Sequence, residues 1–263
     1  MPWAAQSAQH AVQKWWWHNM ATTYGIELEM SSLSIGSAQT LLNRAGLNWS
    51  VKPDGTRGVS AEAVSPILGA ETLSQCTTAA RALSAAGATV NKQTGYHVHL
   101  GVEHYGLNGI ANLVVNWAMA HDTIAALVAP SRLNNGFCRP LSLQDADRTA
   151  EHVRNGRIAN INGGRYYSLN LASYDRHGTV EIRLHHGTLN GSKIKAWAEF
   201  CNAMAEAAKA GIVLEPADHA GNNPAARLNN LADLLRGLVG NEYLSQKTAT
   251  YLNGRAEELA ARQ

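Results

Sequence analysis

Long apolar runs are absent from this 263-residue chain. The longest apolar stretch, about Ile110 to Ala129, is interrupted by Asn112, Asn116, His121 and Asp122, so it does not read as a membrane span. The sequence also shows no basic-then-apolar leader segment. From these two absences we expect a soluble, cytoplasmic protein with no membrane partner.

Cysteine and clustered charge are also scarce. The three cysteines, Cys76, Cys138 and Cys201, are odd in number and far apart, which predicts buried thiols in a reducing compartment rather than a disulfide framework. The formal net charge is +2 without a lysine or arginine cluster, so nucleic acid is not indicated as a partner. No Walker loop and no Rossmann glycine motif are present, which excludes those nucleotide sites.

Against this background, three short apolar runs each carry two polar groups at a spacing of two residues. The pairs are Glu27 and Glu29, His97 and His99, and Glu181 and Arg183. Successive side chains of a β-strand point to opposite faces, so each pair projects from one face while its apolar neighbours pack the other. A protein core excludes such groups unless they are paired or bind a metal.

A single run of this kind is also typical of a strand with one solvated face. The residue types decide between the two interpretations, because three carboxylates, two imidazoles and a guanidinium are groups that hold metals and phosphates. Carboxylates dominate and no thiolate takes part, which favours Mg²⁺ or Mn²⁺ over structural zinc. The arginine beside a carboxylate suits neutralisation of a phosphoryl group.

Strands and helices alternate without βαβ regularity, which predicts an α+β fold around an antiparallel sheet. Paired strands are expected before Pro66 and again over 166–172 and 179–185, with a long buried helix over 107–129. No linker or repeat divides the chain, so we expect a single domain over 1–263. A helical N-terminal extension covers 1–21 and includes Trp15, Trp16 and Trp17, and a helical tail covers 225–263.

Five short motifs, taken in order, resemble the amidoligase family of carboxylate–amine ligases, which is related to glutamine synthetase and glutamate–cysteine ligase. The motifs lie between about residues 22 and 205 and are Thr23-Tyr-Gly-Ile-Glu-Leu-Glu29, Glu62-Ala-Val-Ser-Pro66, Gly95-Tyr-His-Val-His99, Arg165-Tyr-Tyr-Ser-Leu-Asn170 and Val180-Glu-Ile-Arg-Leu-His-His-Gly-Thr188. The resemblance implies a glutamine-synthetase-like catalytic fold, in which a curved antiparallel sheet forms a half-barrel cradle backed by helices.

The same resemblance implies ATP-dependent amide formation through an acyl phosphate, with Mg²⁺ or Mn²⁺ as the metal. The metal ligands that it implies are Glu27, Glu29, Glu62, His97, His99 and Glu181, and the choice between the two histidines stays open. Arg183 and Arg165 would contact the phosphates and act in catalysis, while Asn170 and His99 would contact nucleotide or substrate. His185, on the face expected for Glu181, would support the ligands.

Other functions also fit parts of the sequence. The segment from His97 to Glu103, followed by Gly109, approximates a cupin metal motif, although the long helices and the missing companion segment argue against a cupin barrel. A metal-dependent hydrolase could use the same ligands, and an inactive binding or scaffold protein is a third alternative. The ligase interpretation implies a small-molecule or peptide carboxylate and an amine donor as partners; their identity and any homo-oligomer are left open.

Overall fold

The structure is a computed structural model that describes residues 21–214 and 223–262. The expected N-terminal helix and its three tryptophans therefore lie outside the described residues. The strands are β1 (Tyr24–Met30), β2 (Ser50–Lys52), β3 (Ala61–Val64), β4 (Gly95–Gly101), β5 (Leu169–Asn170) and β6 (Thr179–His186). The helices are α1 (Ile35–Arg44), α2 (Gln75–Ala85), α3 (Gly106–Met119), α4 (His121–Ile124), α5 (Pro130–Leu133), α6 (Leu143–Arg154), α7 (Tyr174–His177), α8 (Gly191–Lys209), α9 (Pro224–Gly240) and α10 (Gln246–Ala260).

The strands form one open sheet in the order β2-β3-β1-β4-β6-β5, and every neighbouring pair is antiparallel. This arrangement of helices around an antiparallel sheet confirms the α+β prediction. The expected hairpins are present as the pairs β2–β3 and β5–β6. Three of the central strands, β1, β4 and β6, carry the polar pairs that the sequence singled out, and β3 carries Glu62.

One face of the sheet is covered by helices and forms the core. Ile26 and Leu28 of β1 and Val98 of β4 are fully buried on this face, as the alternation predicted. Tyr96 joins β4 to α8, because its hydroxyl donates to the Ile194 carbonyl oxygen at 2.8 Å. Apolar burial on this side stabilises the sheet and leaves its other face free for polar groups.

Two predicted elements are shorter than expected. The helix predicted over 107–129 ends at Met119; α4 and a 3₁₀ turn, Ala125–Leu127, follow it and pack against α9 and α10. The strand predicted over 166–172 is reduced to β5, because Tyr166 and Ser168 exchange backbone hydrogen bonds with Arg139 instead. In both places long-range contacts outweigh the local pattern.

A β-bulge changes which face of the sheet the last side chains of β6 point to. Tyr96 pairs with His185 and Val98 pairs with Ile182, so two β6 residues, Arg183 and Leu184, lie opposite the single residue His97. The prediction that His185 shares the face of Glu181 is therefore wrong. His185 is turned into the core, where its ring packs against Tyr96 and Trp197.

Two further observations concern the character of the chain. Across the described ranges, every helix falls short of the length or the apolar character needed to cross a membrane. Cys76, Cys138 and Cys201 are buried and unpaired, as the sequence predicted.

Candidate functional site

A cleft of about 1120 Å³ opens on the sheet face opposite the helices. All nine side chains that the sequence singled out as candidate site residues line it: Glu27, Glu29, Glu62, His97, His99, Arg165, Asn170, Glu181 and Arg183. Residues separated by more than half of the chain are thus brought to one surface. The structure adds other groups to the lining, including Asp54, Arg132, Phe137 and Tyr166.

The strand register explains how these side chains meet. Glu29 of β1 lies opposite Glu62 of β3, and Glu27 lies opposite His97 of β4. On the next pair of strands, His99 lies opposite Glu181. Directly opposed residues of antiparallel strands present their side chains on the same face, so the charged groups form adjoining rows.

His97 lies at the centre of the cleft floor and is only 3% exposed. Its Nδ1 atom lies 3.2 Å from Glu27 Oε2 and 3.5 Å from Glu181 Oε1. Its Nε2 atom, on the other side of the ring, lies 3.5 Å from Glu29 Oε1. One imidazole therefore faces carboxylates of two strands with both of its nitrogens.

Two groups of three side chains have metal-ligand geometry. Glu27, His97 and Glu181 form one, Glu29, Glu62 and His97 form the other, and in each group the ligand atoms lie within 4.8 Å of one another. Oxygen ligands with one imidazole fit Mg²⁺ or Mn²⁺ in the chemistry of their donors. His99 belongs to neither group; its Nε2 lies 3.3 Å from Glu27 Oε1 and its Nδ1 lies 2.9 Å from Thr179 Oγ1.

The crowded charges shift the pKa values of several groups in opposite directions. Burial acts to raise the pKa of Glu27, but hydrogen bonds to His97 and His99 outweigh burial and hold that pKa well below its ordinary value. Burial tends to lower the pKa of His99, but the hydrogen bond to Glu27 raises it overall. In the described part of the chain Glu62 forms no ion pair with a histidine, and burial, together with the charges of Glu27, Glu29 and Asp54, raises its pKa to about 8.

Glu181 is held from two sides. Arg183 Nη1 donates to Glu181 Oε1, and Asn170 Nδ2 donates to Glu181 Oε2 at 2.7 Å. Asn170 is itself fixed, because its Oδ1 accepts hydrogen bonds from Asn160 Nδ2 at 3.0 Å and from the Ala172 backbone N–H at 2.9 Å. The structure thus places Asn170 as a partner that orients a carboxylate, which the sequence argument did not foresee.

The rim of the cleft carries Arg165 beside two exposed aromatic rings. The Arg165 guanidinium lies 5.2 Å from the centroid of the Tyr166 ring, and Phe137 meets Tyr166 edge to face at 5.4 Å. Arg165 is exposed, so it is free to turn toward a ligand in the cleft. Arg183 is anchored here as well, because its Nε donates to the Phe137 carbonyl oxygen at 3.2 Å.

Arg132 is the main site residue that the sequence argument missed. It is 3% exposed and lines the cleft beside β6, although it comes from the four-residue helix α5. A single arginine in so short a helix carries no periodic signal. Asp54, in the turn before Glu62, fits both a turn residue and a substrate contact by its sequence position; its Oδ1 accepts the Thr56 N–H at 2.7 Å, and it also lines the cleft.

The geometry does not support the cupin alternative. The described sheet is open rather than closed into a barrel. Glu103, the carboxylate of the cupin-like segment, lies in a 3₁₀ turn against Gly178 and does not line the cleft with His97 and His99. The three residues therefore do not form a shared ligand set.

The raised pKa of Glu62 predicts a pH dependence of stability in the metal-free protein. Glu62 keeps its proton in the folded state up to about pH 8, whereas the unfolded chain releases it near the ordinary value of 4.5. The native state binds more protons in this window, so the free energy of unfolding should fall as the pH rises through it. Saturating Mg²⁺ or Mn²⁺ should remove the contribution of Glu62, because a bound cation displaces its proton in the folded state.

Urea unfolding between these two pH values, with and without metal, measures this dependence. Glu62→Gln should remove this contribution, so the difference in slope from the parent measures it; His99, whose pKa is raised, and His121, His185 and His186, whose pKa values burial lowers, contribute slopes of opposite sign in both proteins. Glu257→Gln, on an exposed position of α10, is the matched control and should leave the slope unchanged. An unchanged slope in Glu62→Gln would show that Glu62 is ionised throughout.

Gly95 gives a second prediction, because it leaves space for the central imidazole. A Cβ atom at Gly95 would lie 2.7 Å from His97 Nε2, and the Gly95 N–H donates to Glu29 Oε2 at 2.7 Å. Gly95→Ala should displace the ring and weaken Mn²⁺ binding about 10-fold or more, as measured by calorimetry. Gly36→Ala, where nothing lies within 4 Å of the added carbon, is the control and should bind Mn²⁺ normally. Equal affinities would show that Mn²⁺ binding does not depend on the space that Gly95 leaves for the His97 ring.

Comparison with known proteins agrees with this geometry. No curated protein matched the chain. The sequence model of the family described as "Putative amidoligase enzyme" matches residues 48–205, more than half of the chain. The match spans β2 to most of α8 and includes Glu62, His97, His99, Glu181 and Arg183, whereas Glu27 and Glu29 are joined to them through the pairing of β1. The chain belongs to the amidoligase enzyme family.

Proposed function

We propose that this protein is an ATP-dependent carboxylate–amine ligase. In the proposed reaction the γ-phosphoryl group of ATP is transferred to a substrate carboxylate, and an amine then displaces phosphate from the acyl phosphate to form an amide. The observation that carries the proposal is the cleft floor. There His97 belongs to both sets of candidate metal ligands. Arg183 donates a hydrogen bond to Glu181 at the edge of the same floor.

The donor set fits Mg²⁺ or Mn²⁺ at either of two positions, one among Glu27, His97 and Glu181 and the other among Glu29, Glu62 and His97. A neutral imidazole has one free lone pair, so His97 would ligate a cation at one of these positions, and carboxylates would hold a cation at the other. Divalent cations at such positions neutralise the charge of nucleotide phosphates and of the transferring phosphoryl group. The deprotonated state of Glu27 is already favoured before any cation binds.

Arg183 is placed to stabilise charge on the phosphoryl group. Its guanidinium is fixed by Glu181 and by the Phe137 carbonyl oxygen, so few of its conformations are lost when it binds an anion. A guanidinium cannot ligate a cation, but it can donate two hydrogen bonds to phosphate oxygens. Arg165 at the rim would contact the phosphates or the substrate, and no protein nucleophile is required.

The proposed relation to glutamine synthetase concerns the shape of the sheet as well as the chemistry. An antiparallel sheet with helices on one face and a polar cleft on the other supports a half-barrel cradle of that kind. The substrates would be a small-molecule or peptide carboxylate and an amine. Three buried, unpaired cysteines support a reducing, cytoplasmic location.

Trapping of the acyl phosphate tests the proposal directly. Hydroxylamine is a general nucleophile that converts acyl phosphates to coloured hydroxamates, so the amine substrate need not be known. The protein is incubated with ATP, Mg²⁺ or Mn²⁺, hydroxylamine and pools of amino acids, dicarboxylates and peptides, and both ADP and hydroxamate are measured. Equal amounts of the two products, formed only with ATP, are expected. Product formed without ATP would indicate a hydrolase, and failure of ATP to bind with either metal would contradict the ligase assignment.

Two substitutions on β6 should separate metal binding from phosphoryl transfer. Glu181→Ala should lose both Mn²⁺ affinity and turnover, because it removes a proposed ligand. Arg183→Ala should keep Mn²⁺ affinity and lower the rate of ADP formation about 100-fold, or roughly 3 kcal/mol of transition-state stabilisation. Arg183→Lys should recover only part of the rate, since an ammonium group cannot make the two-pronged contact.

The matched control for this pair is Arg236→Ala, which removes an exposed guanidinium from α9. It should change neither Mn²⁺ affinity nor turnover. Near-normal ADP formation by Arg183→Ala would limit Arg183 to a structural contact with Glu181.

A further inference from the structure

The guanidinium of Arg132 is bonded to the backbone of β6. Its Nε donates to the Leu184 carbonyl oxygen at 3.2 Å, and its Nη2 donates to the Arg183 carbonyl oxygen at 2.6 Å. Arg132 is buried, and although the charge of Glu29 acts on it, it forms no ion pair with a carboxylate in the described part of the chain. Burial of a guanidinium is costly, so its two backbone contacts call for an explanation.

The β-bulge supplies that explanation. Arg183 and Leu184 are the two residues that lie opposite the single residue His97, and a bulge of this kind leaves backbone groups outside the regular ladder. The carbonyl oxygens that Arg132 binds belong to these two residues. One planar guanidinium thus satisfies two consecutive carbonyls that the bulge takes out of register.

The segment that carries Arg132 is fixed to the same end of the sheet. The Ala129 N–H donates to His186 Nδ1 at 3.1 Å, just beyond the bulge. On the side of β4, a Cβ atom at Gly95 would lie 3.5 Å from Arg132 Nη2, so the glycine leaves room for the guanidinium beside His97. Hydrogen bonds to β6 therefore hold Arg132 against the bulge, in space that Gly95 leaves on the side of β4.

The bulge determines what β6 presents to the cleft. Glu181 lies in the regular part of the β4–β6 ladder opposite His99, and Arg183 comes two residues later, at the bulge itself. In a regular ladder Arg183 would keep the face of Glu181 and lie opposite His97 alone, whereas in the bulge it shares that place with Leu184. The position of the Arg183 backbone, though not the face of its side chain, therefore depends on the bulge.

We propose that Arg132 is a positioning residue that stabilises the β6 bulge and thereby holds Arg183 in place for phosphoryl transfer. The inference rests on the proposed ligase function only for its kinetic consequence. Its structural part, that Arg132 stabilises the bulge, stands on the hydrogen bonds alone. Arg132 acts through Arg183 and needs no contact with the substrate.

A double-mutant cycle tests the kinetic part. Arg132→Met should lower the rate of ATP-dependent hydroxamate formation toward that of Arg183→Ala, about 100-fold, with little change in the KM for ATP. The double variant should be no slower than Arg183→Ala alone, because both changes remove the same contribution. Arg132→Lys should fold like the parent and recover part of the rate, since one ammonium group can reach one carbonyl. Arg139→Met, a nearby exposed arginine outside the cleft, should keep the parental rate.

Two kinetic outcomes would overturn the proposal. Additive losses in the double variant would show that Arg132 contacts the ligand independently of Arg183. A parental rate in Arg132→Met would show that the bulge does not depend on it.

Amide hydrogen exchange tests the structural part without any assay of activity. Arg132→Met should speed exchange in the peptide that covers 179–186, with exchange in α9 and α10 unchanged. If the parent protein forms no hydroxamate but this local change is seen, the ligase function fails and the stabilisation of the bulge stands. Unchanged exchange in 179–186, or faster exchange throughout the protein, would overturn the structural inference.

Discussion

The cleft is governed by the crowding of four carboxylates at the centre of its floor. Glu27, Glu29, Glu62 and Glu181 lie close together there, and like charges at such distances oppose burial. His97 reduces the repulsion by facing three of the four carboxylates, and Arg183 adds a cation beside Glu181. Among the described residues neither forms an ion pair with Glu62, and the pKa of Glu62 is raised by burial and by the neighbouring carboxylates. A divalent cation at the floor would reduce this local repulsion.

One face of the sheet contributes mainly to stability, and the other face carries the candidate functional groups. On the helix side, apolar residues of β1 and β4 and the rings of Trp117 and Trp197 are buried, and they supply free energy that the charged face does not. This free energy keeps the charged groups on the other face close together although they repel one another. Gly95 contributes to the charged face in two ways. Its backbone N–H donates to Glu29, and its lack of a side chain makes room for His97.

Sequence alternation predicted which residues face the cleft because it follows directly from strand geometry. Glu27 and Glu29 on β1, and His97 and His99 on β4, share a face in any regular strand, whatever the order of strands in the sheet. The same rule failed at His185, because an inserted residue in β6 changes the facing and no glycine or proline marks the place. Alternation is a local signal, so it is reliable only where the ladder is regular.

Contacts between separate segments of the chain could not be predicted from the sequence. Arg132 meets β6 through backbone carbonyls, which carry no side-chain signature in the sequence. Asn170 appeared in a motif, but its role as the partner that orients Glu181 depends on Asn160, ten residues away in the chain. The early end of the long helix at Met119 likewise reflects packing against α9, a segment more than one hundred residues later.

The order of the strands also sets when the cleft can assemble. β1 comes first among the described strands and lies in the middle of the sheet, whereas β6 follows only after the helical region that ends at Arg154. Until β6 is added, one edge of β4 exposes unpaired N–H and C=O groups, and such edges promote association between chains. Closure of that edge is a long-range step and therefore a slow one. A nascent chain that has not yet reached Thr179 would be vulnerable to aggregation, so chaperone binding during synthesis should be concentrated in that interval.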